Sequence, residues 1–349
     1  MTEESDANGT SRGQFLARAA GVTGMVVGAG VWAGAAAAQE VAEPEAAAAA
    51  GTGRSFSAAR FALELDNVSS GFVQSAAGGA TFADVIEEGG SDYYPRKHLG
   101  QPKYEDFTLQ IGTTMNRGVY EWIQATWQNA FQRRNGALIA TDAQQNAVSR
   151  REFFEALITE TTIPAMDASS KDPAYMTLKF APELARTTKT SGKLTEAKST
   201  QKSWLPSNFR LEIDGLDATK VNKIEALTIK QKVVTDPIGE ERDFEREPTK
   251  IEFPDLVVTL AESSSQTWFD WFEDFVVRGN NGQEEERGGK LTFLASNLKD
   301  ELGHVTFFNL GIFKIGGDKA EANADAIKRI TAELYCERME LQIGSGALA

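Results

Sequence analysis

The chain has 349 residues, a formal charge of −14, one cysteine and two histidines. That length suffices for two ordinary domains with real cores, while the acidic balance disfavours nucleic acid as a specific partner, because phosphate binding needs an excess of Lys and Arg. The lone Cys336 excludes an internal disulfide framework and a multi-cysteine metal site, and His98 and His304 leave little room for histidine catalysis or a histidine-rich zinc site.

Residues 1–38 read as a signal peptide or membrane anchor. Arg12 and Arg18 carry the positive charge, ahead of an Ala/Gly/Val run over residues 19–38. Ala36 and Ala38 give a small-x-small cleavage pattern before Gln39 and Glu40. Ser11-Arg12-Gly13-Gln14-Phe15-Leu16 is similar to the twin-arginine signal consensus, with Gly13 where the second arginine belongs. The apolar run is near the length that spans a bilayer, so membrane contact through residues 19–38 is the accompanying expectation. Residues 39–59, with Glu43-Pro44-Glu45 and an alanine run, form a low-complexity linker.

Two stretches of matching order follow. Phe61-Ala62-Leu63-Glu64-Leu65-Asp66 opens one, and Phe209-Arg210-Leu211-Glu212-Ile213-Asp214 opens the other. Each alternates apolar and polar residues and ends before a turn, at Asn67 or Gly215. A polar, positively charged turn at Arg96-Lys97 then leads to Phe107, Leu109 and Ile111, which point one way while Thr108 and Gln110 point the other. The later counterpart runs over residues 250–260. A helix is expected over residues 119–131, with Val119, Trp122, Ile123 and Trp127 on one face, and another over residues 268–277, with Trp268, Trp271, Phe272, Phe275 and Val276 at helical spacing. Strands at residues 136–140, 151–159 and 175–180 match those at 289–294, 304–314 and 330–336. The order in both is strand, loop, strand, helix, strand, strand, loop, strand, so the chain reads as one unit used twice. The expected divisions are domain 1 at 60–186, a linker at 187–207, domain 2 at 208–343 and a tail at 344–349.

Residues 96–104, the 107–111 strand with Gly112, the Trp122 helix and Arg150-Arg151-Glu152-Phe153-Phe154 are similar to the tail tube proteins of contractile bacteriophages and related contractile injection systems. The loop-strand closure over residues 167–180 belongs to the same resemblance, which covers roughly residues 60–186. The second stretch fits less closely, with Glu240-Glu241-Arg242-Asp243-Phe244 standing where the Arg96-Lys97 segment would be. The resemblance implies a mainly β fold: two tandem tail-tube-like antiparallel β-sandwich or barrel domains, each with one α-helix. It also implies a structural protein rather than an enzyme. Three chains would close a pseudo-six-fold ring, and rings would stack into a tube or filament. The implied partners are further copies of the chain and other tail or envelope components, and no cofactor is called for. The N-terminus suggests an exported, envelope or extracellular protein; a cytoplasmic phage-tail-like particle is the alternative location. The competing function is a secreted or surface-attached monomeric β binding module.

Candidate chemistry is sparse. The tryptophan pairs fit core positions better than ligand-stacking ones. Glu284-Glu285-Glu286 lacks the alternating ligand spacing of a calcium loop and reads as a solvated loop. Catalytic and metal residues are therefore expected to be none. The candidate assembly contacts are Arg96 and Lys97 against Glu240 and Glu241, where opposite charge would set register.

Overall fold

The computed structural model describes residues 60–343 except 90–92, 114, 195–203, 238–243 and 318–326. All of these lie in the second of the chain's two units, Ser55–Ala349; the first is Met1–Arg54. The signal or anchor, the 39–59 linker, the 344–349 tail and the candidates Glu240 and Glu241 lie outside the described residues.

The first half opens with Arg60–Leu65 (β1), Val68–Val73 (β2) and Ser75–Gly78 (β3), then a hairpin of Thr81–Glu88 (β4) and Arg96–Tyr104 (β5). Phe107–Ile111 (β6), the helix Arg117–Trp127 (α1), Arg134–Thr141 (β7) and Ala147–Ile163 (β8) follow. Met166–Asp167 (β9), Met176–Ala181 (β10) and Leu184–Lys189 (β11) close it. The second half has Phe209–Ile213 (β12), Val221–Ile224 (β13), and a hairpin of Leu227–Pro237 (β14) and Phe244–Glu252 (β15). Leu256–Ala261 (β16), Gln266–Phe272 (α2), Arg287–Leu294 (β17), Glu301–Gly317 (β18) and Arg329–Ile343 (β19) complete it.

The fold is mainly β, with antiparallel sheets and helices set against them. In the first half the strands run β1-β7-β8-β10-β6-β3, and in the second β12-β17-β18-β19-β16-β13. Irregularities fall at matching places in these two paths. Opposite β10, β8 skips Thr159 between Ile158 and Glu160; opposite β19, β18 skips Phe313 between Ile312 and Lys314. Bulges between Arg134 and Gly136 and between Arg287 and Gly289 also correspond. At these last bulges, Glu155 and Asn309 take left-handed φ values of 48° and 56°. Both hairpins slip in the same way, β4–β5 after Ala83 and β14–β15 after Gln231. A bulge re-aims a strand and pins its register, so shared bulges are shared geometry rather than shared composition.

Period-two patterning places the core. Phe107, Leu109 and Ile111 in β6, and Leu256, Val258 and Leu260 in β16, are fully buried. Phe180 stacks on Phe107 at 5.1 Å and meets Phe153 at 4.7 Å and Trp122 at 5.5 Å. Gly136 is needed beside this group, because a Cβ there would stand 2.2 Å from the Glu64 carbonyl oxygen and 2.5 Å from the Phe153 ring. The buried side chains of both halves belong to one continuous core.

Helix α1 begins where the Asn116 side chain accepts from the Gly118 amide at 3.0 Å. It ends earlier than the 119–131 expectation. Asn129 turns left-handed at φ 59°, and the amides of Asn129 and Ala130 bond back to Thr126 and Ala125. Helix α2 is short and runs on as a π-helical turn over Glu273–Val277. The Arg96-Lys97 segment is not a turn: both residues lie in strand β5. The hairpin has no buried face along most of its length, so it carries no apolar alternation to betray it. Strand β11 runs to Lys189, inside the stretch expected as a linker, and Trp204 near the other end of that stretch is buried 5.0 Å from Phe293.

Candidate assembly surface

The two halves exchange strands. The start of β14 lies alongside the end of β8, pairing Leu227 with Ile163, Thr228 with Thr162, Ile229 with Thr161 and Lys230 with Glu160. The hydroxyls of Thr162 and Thr228 meet at 3.1 Å. In return, Met166 and Asp167 of β9 pair with Ile224 and Lys223 of β13. Hydrogen bonds from Ser169, aided by the charge of Lys223, hold the Asp167 carboxyl below the usual range. Each exchange supplies backbone partners to a strand edge that would otherwise lack them.

Charged groups lock the hairpin in place. The Arg246 amide donates to Glu183 at 2.7 Å, and its guanidinium reaches the Asp106 carboxylate at 3.3 Å and the Tyr104 carbonyl at 3.1 Å. Arg133 donates to the Arg246 carbonyl at 2.8 Å and to Glu247 at 2.7 Å. Helix α1 of the first half also packs on β19 of the second.

The other ends of the two halves lack such cover. Hairpin β4–β5 forms a two-stranded sheet by itself. Phe82, Val85, Ile86 and Leu99 on it are exposed, and its charges pair internally, Lys97 with Glu87 at 2.6 Å and Lys103 with Asp84. At the end of β18, residues 314–317 pair with β19 on one side, and among the described residues no strand pairs with the other. Lys314, Gly316 and Gly317 are exposed, and Ile315 is half-buried.

Of the candidate contacts, Arg96 and Lys97 are exposed on β5, opposite Glu88 and Glu87. Hairpin register makes Glu245 and Arg246 their counterparts, since Arg96 opposes Glu88 as Glu245 opposes Asp236. The junction cluster of Arg133, Arg246, Asp106 and Glu183 was not singled out from sequence. Its only signal is the alternating Glu245-Arg246-Glu247 run, which reads equally as a solvated strand. Trp122, Trp127, Trp268 and Trp271 are all core residues. Glu286 accepts from Tyr335 and Asn309, each at 2.7 Å, and burial together with Glu286 pushes the Tyr335 hydroxyl up to about 12. Cys336 is buried, and burial pushes its thiol up to about 11. Among the described residues, no group of three or more metal-ligating side chains is brought together, and no helix is long and apolar enough to cross a membrane.

Residues 57–184 match the family described as T4-like virus tail tube protein gp19. The chain is tail-tube-like over that stretch. The tail-tube-like stretch corresponds to the first half, from β1 to the start of β11. Among solved structures, the chain is similar to one from the sheath–tube complex of an extracellular contractile injection system in the extended state. That likeness has 19% identity over 40% of this chain and 95% of the other, at a TM-score of 0.36. The tube-terminating cap of the anti-feeding prophage gives 22% identity over 39% and 93%, at 0.34. Hcp1 from Flavobacterium johnsoniae gives 13% over 39% and 95%, at 0.24. Comparison with curated proteins finds no match.

Proposed function

We propose that this chain is a structural protein built of two fused tube-like units, 60–186 and 208–343, which assembles with its own copies into a ring. Three chains would supply the six units of a pseudo-six-fold ring, and such rings would stack into a tube or filament. The observation that carries the reading is the pairing of β14 with β8: one half completes the sheet edge of the other by strand addition. The matching strand orders and bulges support treating the halves as equivalent. The tail-tube-like character of the first half supports a structural rather than catalytic role. A head-to-tail contact of this kind repeats until it closes a ring or runs on as a filament, depending on the rotation at each step.

The acidic chain would line such an assembly without gathering nucleic acid. Export or membrane attachment through residues 12–38 is part of the same proposal. Neutralising Arg12 and Arg18 should slow export, and a full-length chain found wholly soluble in the cytoplasm would sink that part.

Solution mass and negative-stain microscopy of the full-length protein test the ring. Ring-shaped particles of three chains, alone or stacked, are the expected result. A strictly monomeric chain at high concentration would overturn the reading and favour the monomeric binding module.

A further inference from the structure

We infer that the free hairpin β4–β5 of one chain docks on the open end of β18 in a second copy, repeating between chains the contact that β14–β15 makes with β8 within one chain. This inference rests on the ring reading and names the surfaces, register and polarity of its chain-to-chain contact.

Shared bulges fix the correspondence. Counting from the Thr159 and Phe313 bulges, Glu160 and Thr161 answer to Lys314 and Ile315. Counting from the hairpin slips, Ile229 and Lys230 answer to Thr81 and Phe82. Since Ile229 opposes Thr161 and Lys230 opposes Glu160, Thr81 of one chain would oppose Ile315 of the next, and Phe82 would oppose Lys314. Thr161 and Ile163 are buried where the hairpin covers them; across the corresponding residues 314–317 no strand pairs among the described residues.

The helices report the same asymmetry from a different side. Trp122 follows Ile111 by the same interval as Trp271 follows Leu260, so Tyr120 answers to Phe269 and Trp127 to Val276. Tyr120 and Trp127 are each 2% exposed, on a helix covered by β19. Phe269 and Val276 are 39% and 41% exposed. Together with exposed Phe313, they leave an apolar face beside the open edge. The unpaired hairpin carries its own apolar residues, Phe82, Val85, Ile86 and Leu99. Exposed apolar surface beside an unpaired strand edge marks an interaction site.

Charge agrees. The counterpart of Arg246 is Lys97; the counterpart of Asp106, which takes its guanidinium, is Asp255, and that of Glu183, which takes its backbone amide, is Glu337. Asp255 and Glu337 are both exposed on the uncovered end of the second half. A hairpin docked in register would bring Lys97 to them, with a gain mainly in register and encounter rate.

The test uses the full-length chain with Cys336→Ala and two new cysteines. Thr81→Cys with Ile315→Cys should give covalent dimers and trimers under mild oxidation, because directly opposed residues have Cβ atoms about 5 Å apart. Thr81→Cys with Gly316→Cys, one residue out of register, should give few. In the parent chain, Lys97→Glu should weaken assembly about tenfold or more, and adding Asp255→Lys and Glu337→Lys should restore part of it. Rings that form without the in-register crosslink, or a crosslink closed within a single chain, would overturn this contact and leave the ring reading standing. A chain that stays monomeric in every variant would overturn both.

Discussion

Residues 160–163 and 314–317 lie just past the same bulge on corresponding strands, yet among the described residues the first set carries a second neighbouring strand and the other set carries none. In the first half, the far end of β8 is flanked by β10 on one side and β14 on the other. In the second, the far end of β18 has β19 on one side and no paired strand on the other among the described residues. The two hairpins show the complementary difference: β14–β15 is paired with β8, while β4–β5 forms a two-stranded sheet tied to its own half at its base, where Thr81 donates to the Ala185 carbonyl. On the proposed docking, one chain would present the same kind of contact in two conditions, made and unmade. What distinguishes them is whether a donor is present on the same chain.

The largest effect should come from the tryptophans that anchor the two helices. Trp122→Ala and Trp271→Ala should each lower unfolding stability by about 3–5 kcal/mol, as large aromatic core truncations do. A loss below about 1 kcal/mol at either, measured by denaturant unfolding, would break the correspondence between the helices.

Next comes the docked strand. Ile229 is buried at the junction, so Ile229→Ala should cost about 2–3 kcal/mol. Thr81→Ala at the corresponding position removes one hydroxyl bond to the Ala185 carbonyl at 3.2 Å and should cost about 1 kcal/mol or less in the monomer. Equal costs would mean that the base of β4 is packed in its own chain as firmly as β14 is.

The charged lock separates the two conditions more finely. Arg246→Ala removes the guanidinium bonds to half-buried Asp106 and to the Tyr104 carbonyl, while the backbone amide bond to Glu183 survives, at a cost of about 1–2 kcal/mol. Lys97→Ala breaks only an exposed pair with Glu87 and should cost about 0.5 kcal/mol or less in the monomer. The smallest stability effect is expected at Phe269→Ser, within about 0.5 kcal/mol because the ring is exposed. Light scattering should nonetheless show weaker self-association for that variant, and an unchanged particle mass would remove α2 from the contact.

The strands and helices of each half are legible in the sequence because buried elements announce themselves by period. Phe107-Leu109-Ile111 and Leu256-Val258-Leu260 alternate because one face is sealed, and the tryptophan spacing marks the helices. What period cannot say is whose sheet a strand joins. Leu227-Thr228-Ile229 alternates as any half-buried strand would, and nothing in it names β8 as the neighbour. The β4–β5 hairpin looks like loop and turn in the sequence because strands exposed on both faces keep no pattern. Charge alone points to Lys97 and to Glu240-Glu241, whereas hairpin register, which makes Arg246 the counterpart of Lys97, depends on bulges that composition does not encode. The helix ends missed by a few residues for a similar reason. The Asn129 stop is a matter of backbone handedness, and asparagine is only one of several residues that permit it.

The pairing of β14 with β8 also sets how an assembly would come apart. That seam joins two parts of one polypeptide, so its halves meet at an effective concentration set by the tether rather than by the sample, of millimolar order for a short flexible link. A seam between chains has no such tether and loosens on dilution by mass action. A ring of three chains would then carry alternating permanent and exchangeable seams. Dilution would release whole two-lobed pieces, each with one donor hairpin and one open edge ready to rejoin, and never a solitary lobe.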